Sequence, residues 1–188
     1  MAVVNEKIVY RSASLLPAVY GPRGCFAYRE STLAPAGGFV IGGAAAAAAT
    51  AALALGLAAV SLRPARAVLL STGLLPSPGQ GPSQAVQSAG KFNAHFVATT
   101  DTSPALRASS FVSKTGADPG YGATCIMASE AALCLALDMD KCPPLARGGG
   151  CLTPATAMGE ALVARLKARG FVFEAKKLAD GEAALLGV

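Results

Sequence analysis

The chain has 188 residues, of which 53% are hydrophobic and only 14% charged, with a formal net charge of +5. Soluble domains carry about 25% charged residues, and a long uncharged membrane segment would produce such a deficit. The basic residues are scattered, with no Lys/Arg run and no interleaved aromatics, which excludes a nucleic-acid-binding reading.

The N-terminus, MAVVNEKIVYRS, lacks the basic-then-apolar order of a signal peptide. Lys7 to Tyr10 (KIVY) is predicted as a short strand, which Arg11 to Leu16 either continue or follow with the start of a helix, until Pro17 interrupts. Residues 20–38 hold Gly21, Pro22, Gly24, Pro35, Gly37 and Gly38, which is loop chemistry. The first segment is therefore a strand-and-loop region, residues 1–36.

Residues 37–62 (GGFVIGGAAAAAATAALALGLAAVSL) carry no charge. As a helix they would be roughly 39 Å long, against a hydrocarbon core of roughly 30 Å. A transmembrane helix or membrane dip is predicted here. The alternative is an Ala-rich helix buried in a soluble protein, for which so short a chain offers little core. Gly38, Gly42, Gly43, Ala46, Ala47 and Gly56 give this helix small residues at helical spacing, suited to packing on other membrane helices. Basic flanks at Arg23, Arg29, Arg63 and Arg66 give no orientation. Residues 63–90 form a juxtamembrane segment and a Gly/Pro linker.

The remainder, 91–188, is predicted as a small α/β (α+β) domain with a mixed or antiparallel sheet. Phe92, Ala94, Phe96 and Ala98 alternate with Asn93, His95, Val97 and Thr99, the period of a strand. Residues 105–114 form a second strand, joined to the first as a hairpin across 101–104. Asp118-Pro119-Gly120 is a turn, and Ala123 to Leu137 a helix. Thr153 as N-cap and Pro154 at the first helical position start another helix, with Met158, Leu162 and Leu166 on one face. Lys167 and Arg169 lie in its last turn, Gly170 closes it, and Phe171 to Glu174 is a strand.

Sequence chemistry is sparse. No G-x-G-x-x-G follows a strand, so no dinucleotide fingerprint is present. Gly148-Gly149-Gly150 precedes the capped helix and could place an anion at its N-terminus, but reads as a connector. His95 is the sole histidine; with Ser109 or Ser110 and Asp101 it could make a triad on paper, yet no spacing supports one. Glu130 reads as a solvent-facing acid and Tyr121 as a locally packed turn aromatic. Five cysteines, at 25, 125, 134, 142 and 151, are odd in number and include no CxxC. They predict reduced thiols, mostly small core residues, and no zinc site.

Three stretches carry a resemblance. Residues 118–124 (DPGYGAT) resemble a G-P-E-x-G-Y-x-A-T block through Pro119, Gly120, Tyr121 and Thr124. Residues 149–155 (GGCLTPA) resemble G-G-V-x-T-P-G through Gly149, Gly150, Thr153 and Pro154. With the closing GFVFE at 170–174, they resemble the C-terminal half of the saccharopine dehydrogenase-like oxidoreductases. That resemblance implies an NAD(P)-linked fold with membrane or lipid-droplet association, and a nucleotide-binding Rossmann domain that this sequence does not carry. Ala155 and Met158 stand where the family has Gly and Phe. On this reading the chain binds no cofactor alone, and NAD(P) enters only if a Rossmann domain is supplied elsewhere. No catalytic, cofactor or metal residue is assigned.

The expected function is a non-catalytic accessory subunit of a membrane complex, organellar and energy-converting, in a mitochondrial inner or thylakoid membrane. Its partners would be lipid and other membrane proteins, with no nucleic acid. The alternative is the C-terminal part of a split NAD(P)-dependent, lipid-associated oxidoreductase, with a lipid-droplet location.

Overall fold

The computed structural model describes residues 2–31, 38–72, 79, 81–102 and 106–178, with residues 38–41 described by backbone alone. The start of the apolar segment at Gly37, most of the Gly/Pro linker and the hairpin residues 103–105 lie outside the described residues. The chain divides into two compact units, Met1–Glu6 with Arg29–Gly81 and Lys7–Tyr28 with Pro82–Val188.

The first unit holds α3 (Gly38–Ser61) and α4 (Arg63–Ser71). The predicted apolar helix is present. The chain turns at Leu62, whose backbone is extended, and Pro64 sits in the first turn of α4, where its missing N–H costs nothing. Within α3, the Thr50 hydroxyl donates to the Ala46 carbonyl and the Ser61 hydroxyl to that of Leu57, both at 2.8 Å. Added Cβ atoms at Gly42, Gly43 or Gly56 would meet nothing within 4 Å. Of the small-residue face, Gly43, Ala46, Ala47 and Gly56 are exposed and Gly42 is half-buried. Helix α1 (Ala2–Leu15) begins here, where Asn5 donates to both Glu30 carboxylate oxygens.

The second unit carries the rest of α1, then α2 (Pro17–Tyr20), α5 (Gln84–Ala89), β1 (Lys91–Thr99), β2 (Arg107–Thr115), α6 (Gly122–Leu137), α7 (Pro144–Gly148), α8 (Pro154–Ala157), α9 (Gly159–Ala168) and β3 (Val172–Leu178). Residues 7–10 are helical, not the predicted strand. Ile8 and Val9 favour a strand locally, but a lone four-residue strand has no ladder to satisfy its backbone. The helical turn instead brings Ser12 to Thr153.

The sheet is antiparallel, in the order β1-β2-β3, with Phe96 opposite Ser110 and Ser110 opposite Ala175. This settles the antiparallel form of the predicted α/β domain. Helices α6 and α9 lie over one end of it. The core there is Ala117, Ala123, Leu166 and Phe171, with Phe92, Phe173, Ile126 and Met127 packed against it. A second cluster, Cys134, Cys142, Ala157 and Met158, fills the space between α6 and the α7–α8 region. Leu162 touches both clusters, so α9 joins them.

The helix expected from Thr153 onward is broken into α8 and α9. Gly159 takes φ +48, and a Cβ there would lie 3.2 Å from the Pro143 ring. That left-handed residue re-aims the chain, so Met158 and Leu166 are buried while Leu162 spans the two clusters.

Three of the five cysteines depart from the core expectation. Cys134 and Cys142 are buried, whereas Cys25, Cys125 and Cys151 are exposed, and all are free thiols. Cys25 follows a turn, Cys125 opens α6 on its outer side and Cys151 sits in the glycine loop.

Candidate functional site

The two motif stretches fold into the starts of helices. In the first, the Asp118 carboxylate accepts hydrogen bonds from the backbone N–H groups of Gly120, Tyr121 and Gly122 at 3.1, 2.9 and 2.8 Å. Those donors, Gly122 foremost, hold the Asp118 pKa below its ordinary value despite some desolvation. Thr124 donates to the Pro119 carbonyl at 2.7 Å. Tyr121 is about half exposed.

In the second, Thr153 and Thr156 form a reciprocal capping box. The Thr153 hydroxyl also lies 2.7 Å from the Ser12 hydroxyl, and Arg11 donates to the Cys151 carbonyl at 3.0 Å. The glycine loop is thereby tied to α1. Thr153 is buried, so Thr153→Ala removes a cap and leaves Ser12 without that partner. A loss of about 1–2 kcal/mol is expected, measured by urea unfolding.

These bonds decide whether the chain can cradle a pyrophosphate. Phosphate binding at a helix start needs unoccupied backbone N–H groups. At α6 they are taken by Asp118. At α8 the Thr153 N–H donates to Thr156 and the Thr156 N–H to Thr153. Gly149 and Gly150 do adopt positive φ, +67 and +112, but α8 has only four residues. The N–H groups named at these two helix starts are therefore already donating within the chain.

Between α6, α7 and α8 lies an open apolar groove of about 370 Å³. Leu135, Met139, Leu152, Pro154 and Met158 supply its walls, and Gly149-Gly150 its rim. Beneath it the Cys134 and Cys142 sulfurs are 3.9 Å apart, and burial pushes the Cys134 thiol pKa up, which disfavours the thiolate. The groove can hold an apolar chain; it offers no activated nucleophile.

Glu130 is buried rather than solvent-facing. Arg165 Nε reaches one of its oxygens at 2.7 Å and Arg169 Nε the other at 2.6 Å, while Arg165 Nη1 bonds Asp138 at 2.6 Å. The Arg169 hydrogen bond, then that of Arg165, holds the Glu130 pKa down against burial. Asp138 is lowered by Lys141 first and Arg165 second. The sequence signal for this brace was the pair of arginines one turn apart, Arg165 on α9 and Arg169 at its C-cap.

His95 is exposed, its ring 4.7 Å from that of its register partner Phe111. Ser109 and Ser110 pair with Val97 and Phe96, so no triad forms around it. No group of three or more potential metal ligands exists among the described residues.

No family model and no solved structure matches the chain. It is 39% identical over 190 residues to a putative trans-acting enoyl reductase of Mycobacterium tuberculosis. The match takes in 96% of this chain and 41% of that protein. A trans-acting enoyl reductase of Mycobacterium ulcerans is 36% identical over 180 residues, 93% of this chain and 39% of the relative. One from Mycobacterium bovis is 35% identical over 183 residues, 94% and 40%. These names overturn the saccharopine dehydrogenase-like resemblance. They also overturn the reading as an accessory subunit of a membrane complex, because the relatives are named as enzymes. The chain spans about two fifths of the length of the curated relatives it matches.

Proposed function

We propose that this chain is part of an enoyl reductase that acts in trans, and that it handles the acyl group rather than the hydride source. The similarity to the named mycobacterial reductases, spread over nearly the whole chain, carries this reading. Reduction of an enoyl group adds hydride to the β-carbon of a double bond conjugated to a carbonyl and a proton to the α-carbon. Nicotinamide cofactors supply such hydride. Because both helix starts are filled by this chain's own side chains, the nucleotide is assigned to the rest of the reductase. The apolar groove over Met139, Leu152 and Met158 is assigned to the acyl chain.

A chimera in which this chain replaces the matching two fifths of the Mycobacterium ulcerans relative tests the proposal. With a nicotinamide nucleotide and a trans-2-enoyl thioester, mass spectrometry should show a gain of two hydrogens. A folded chimera that binds the nucleotide and leaves the double bond intact overturns it. Met139→Glu in the groove should raise KM for a long-chain enoyl thioester about tenfold, roughly the loss of two buried methylenes. It should leave a short-chain substrate nearly unaffected.

For α3, the finer reading is a membrane crossing. Gly42–Ser61 is long and apolar enough, and that window has no share buried inside the chain. The self-bonded hydroxyls of Thr50 and Ser61 suit a medium without water. Extraction of the expressed chain from membranes by alkaline carbonate would reject the crossing; retention until detergent is added would support it.

A further inference from the structure

The sheet runs on past the helices that cover it. Phe92 and Phe173 pack beneath α6 and α9, and alternation places Phe96, Ala98, Ala108 and Ala175 on that same face. Yet Phe96 is 45% exposed, and the three alanines are exposed as well. Phe96 stands over Ser110 and Ala175, with Ala98 and Ala108 beside them. The result is an apolar shelf: one projecting ring among side chains small enough for another backbone to approach. Lys177 stands on the shelf opposite Ala108, and Arg107 and Lys176 lie at the same end of the strands. Among the described residues the acids there are Glu174 on β3 and Asp101 in the hairpin, two against the three bases.

More than half of each relative's length lies outside the match. We propose that this shelf is the seat of that remaining polypeptide. It would meet Phe96 with an apolar pocket and Lys177 with an acidic rim. The inference rests on the enoyl reductase reading and adds to it where the two parts join. Three strands spaced about 4.8 Å apart make the shelf far smaller than the roughly 800 Å² per partner of a stable interface. Phe96 is therefore an anchor within a larger contact, and interface energy concentrates at such buried aromatic anchors.

The intact chimera described above provides the test. A carbodiimide, which joins amines directly to carboxylates, should link Lys177 to Asp or Glu in the remaining polypeptide. Phe96→Asp should cut that yield at least tenfold, while Val86→Asp, an exposed site on α5, should not change it. The internal link between Lys141 and Asp138, 2.6 Å apart, reports in each variant that the domain is still folded. Lys177 linked only to acids within the 188 residues of this chain, or a yield indifferent to Phe96→Asp in a folded chimera, overturns the shelf. A chimera that shows the link but reduces no enoyl thioester rejects the enzyme reading and leaves the shelf standing.

Discussion

Gly90→Ala is expected to destabilise the sheet-bearing unit by about 3–5 kcal/mol. For a domain near 100 residues, this lowers Tm by about 12–25 °C. Gly90 has ordinary dihedrals, φ −66 and ψ 156, so backbone strain plays no part. Space does. An added Cβ would lie 2.4 Å from Asp118 Cα and 2.5 Å from Asp118 N, and backbone atoms of a pinned loop cannot step aside. The loop is pinned because the Gly90 carbonyl accepts from both Gly116 and Ala117, and the Asp118 N–H donates to Gln87 at 2.8 Å. Moving Asp118 would in turn uncap α6. Calorimetry on the wild type and the variant decides it; an unchanged Tm would mean that the two segments do not cross as described.

The second large effect is Glu130→Ala. It leaves Arg165 and Arg169, one turn apart, without the acid they share, and breaking a buried pair costs more than never having built it. The fall in Tm should be clearly larger than that for Lys141→Ala, whose side chain is 65% exposed. The same brace sets an acid limit on stability. Glu130 and Asp138 have folded pKa values below their unfolded ones. Their contribution is complete above the ordinary carboxylate range near pH 4, and is lost as pH falls through the lower folded values. Urea midpoints should therefore drop on acidification in the wild type and drop less in Glu130→Ala. Equal acid sensitivity in both proteins would remove the brace as the cause.

Local pattern made α6, the β1–β2 hairpin, β3 and the Thr153 cap legible, because each is specified by residues a few positions apart. Period two in 92–98 and the Thr-Pro start need no knowledge of the rest of the chain. What failed was decided at a distance. Residues 7–10 favour a strand by themselves and become helix where Ser12 can meet Thr153, 141 residues on. Glu130 looked solvated on its own helix because its two partners lie 35 and 39 residues away. Alternation in β1 marked a strand, but alternation says nothing of how far the covering helices reach, and Phe96 lies beyond them. Of the candidate site, the two glycine-bearing motifs were visible; the groove between three helices was not, since its walls come from separate stretches.

Arg165 and Arg169 are like charges one turn apart, which weakens a helix standing alone by a few tenths of a kcal/mol. Only when Glu130 arrives does that repulsion become attraction. During synthesis α6 leaves the ribosome first, so the acid is already waiting when the arginine-bearing segment emerges. A peptide of residues 154–170 alone should be poorly helical in water, because so short a segment has little helix stability without the contact to α6.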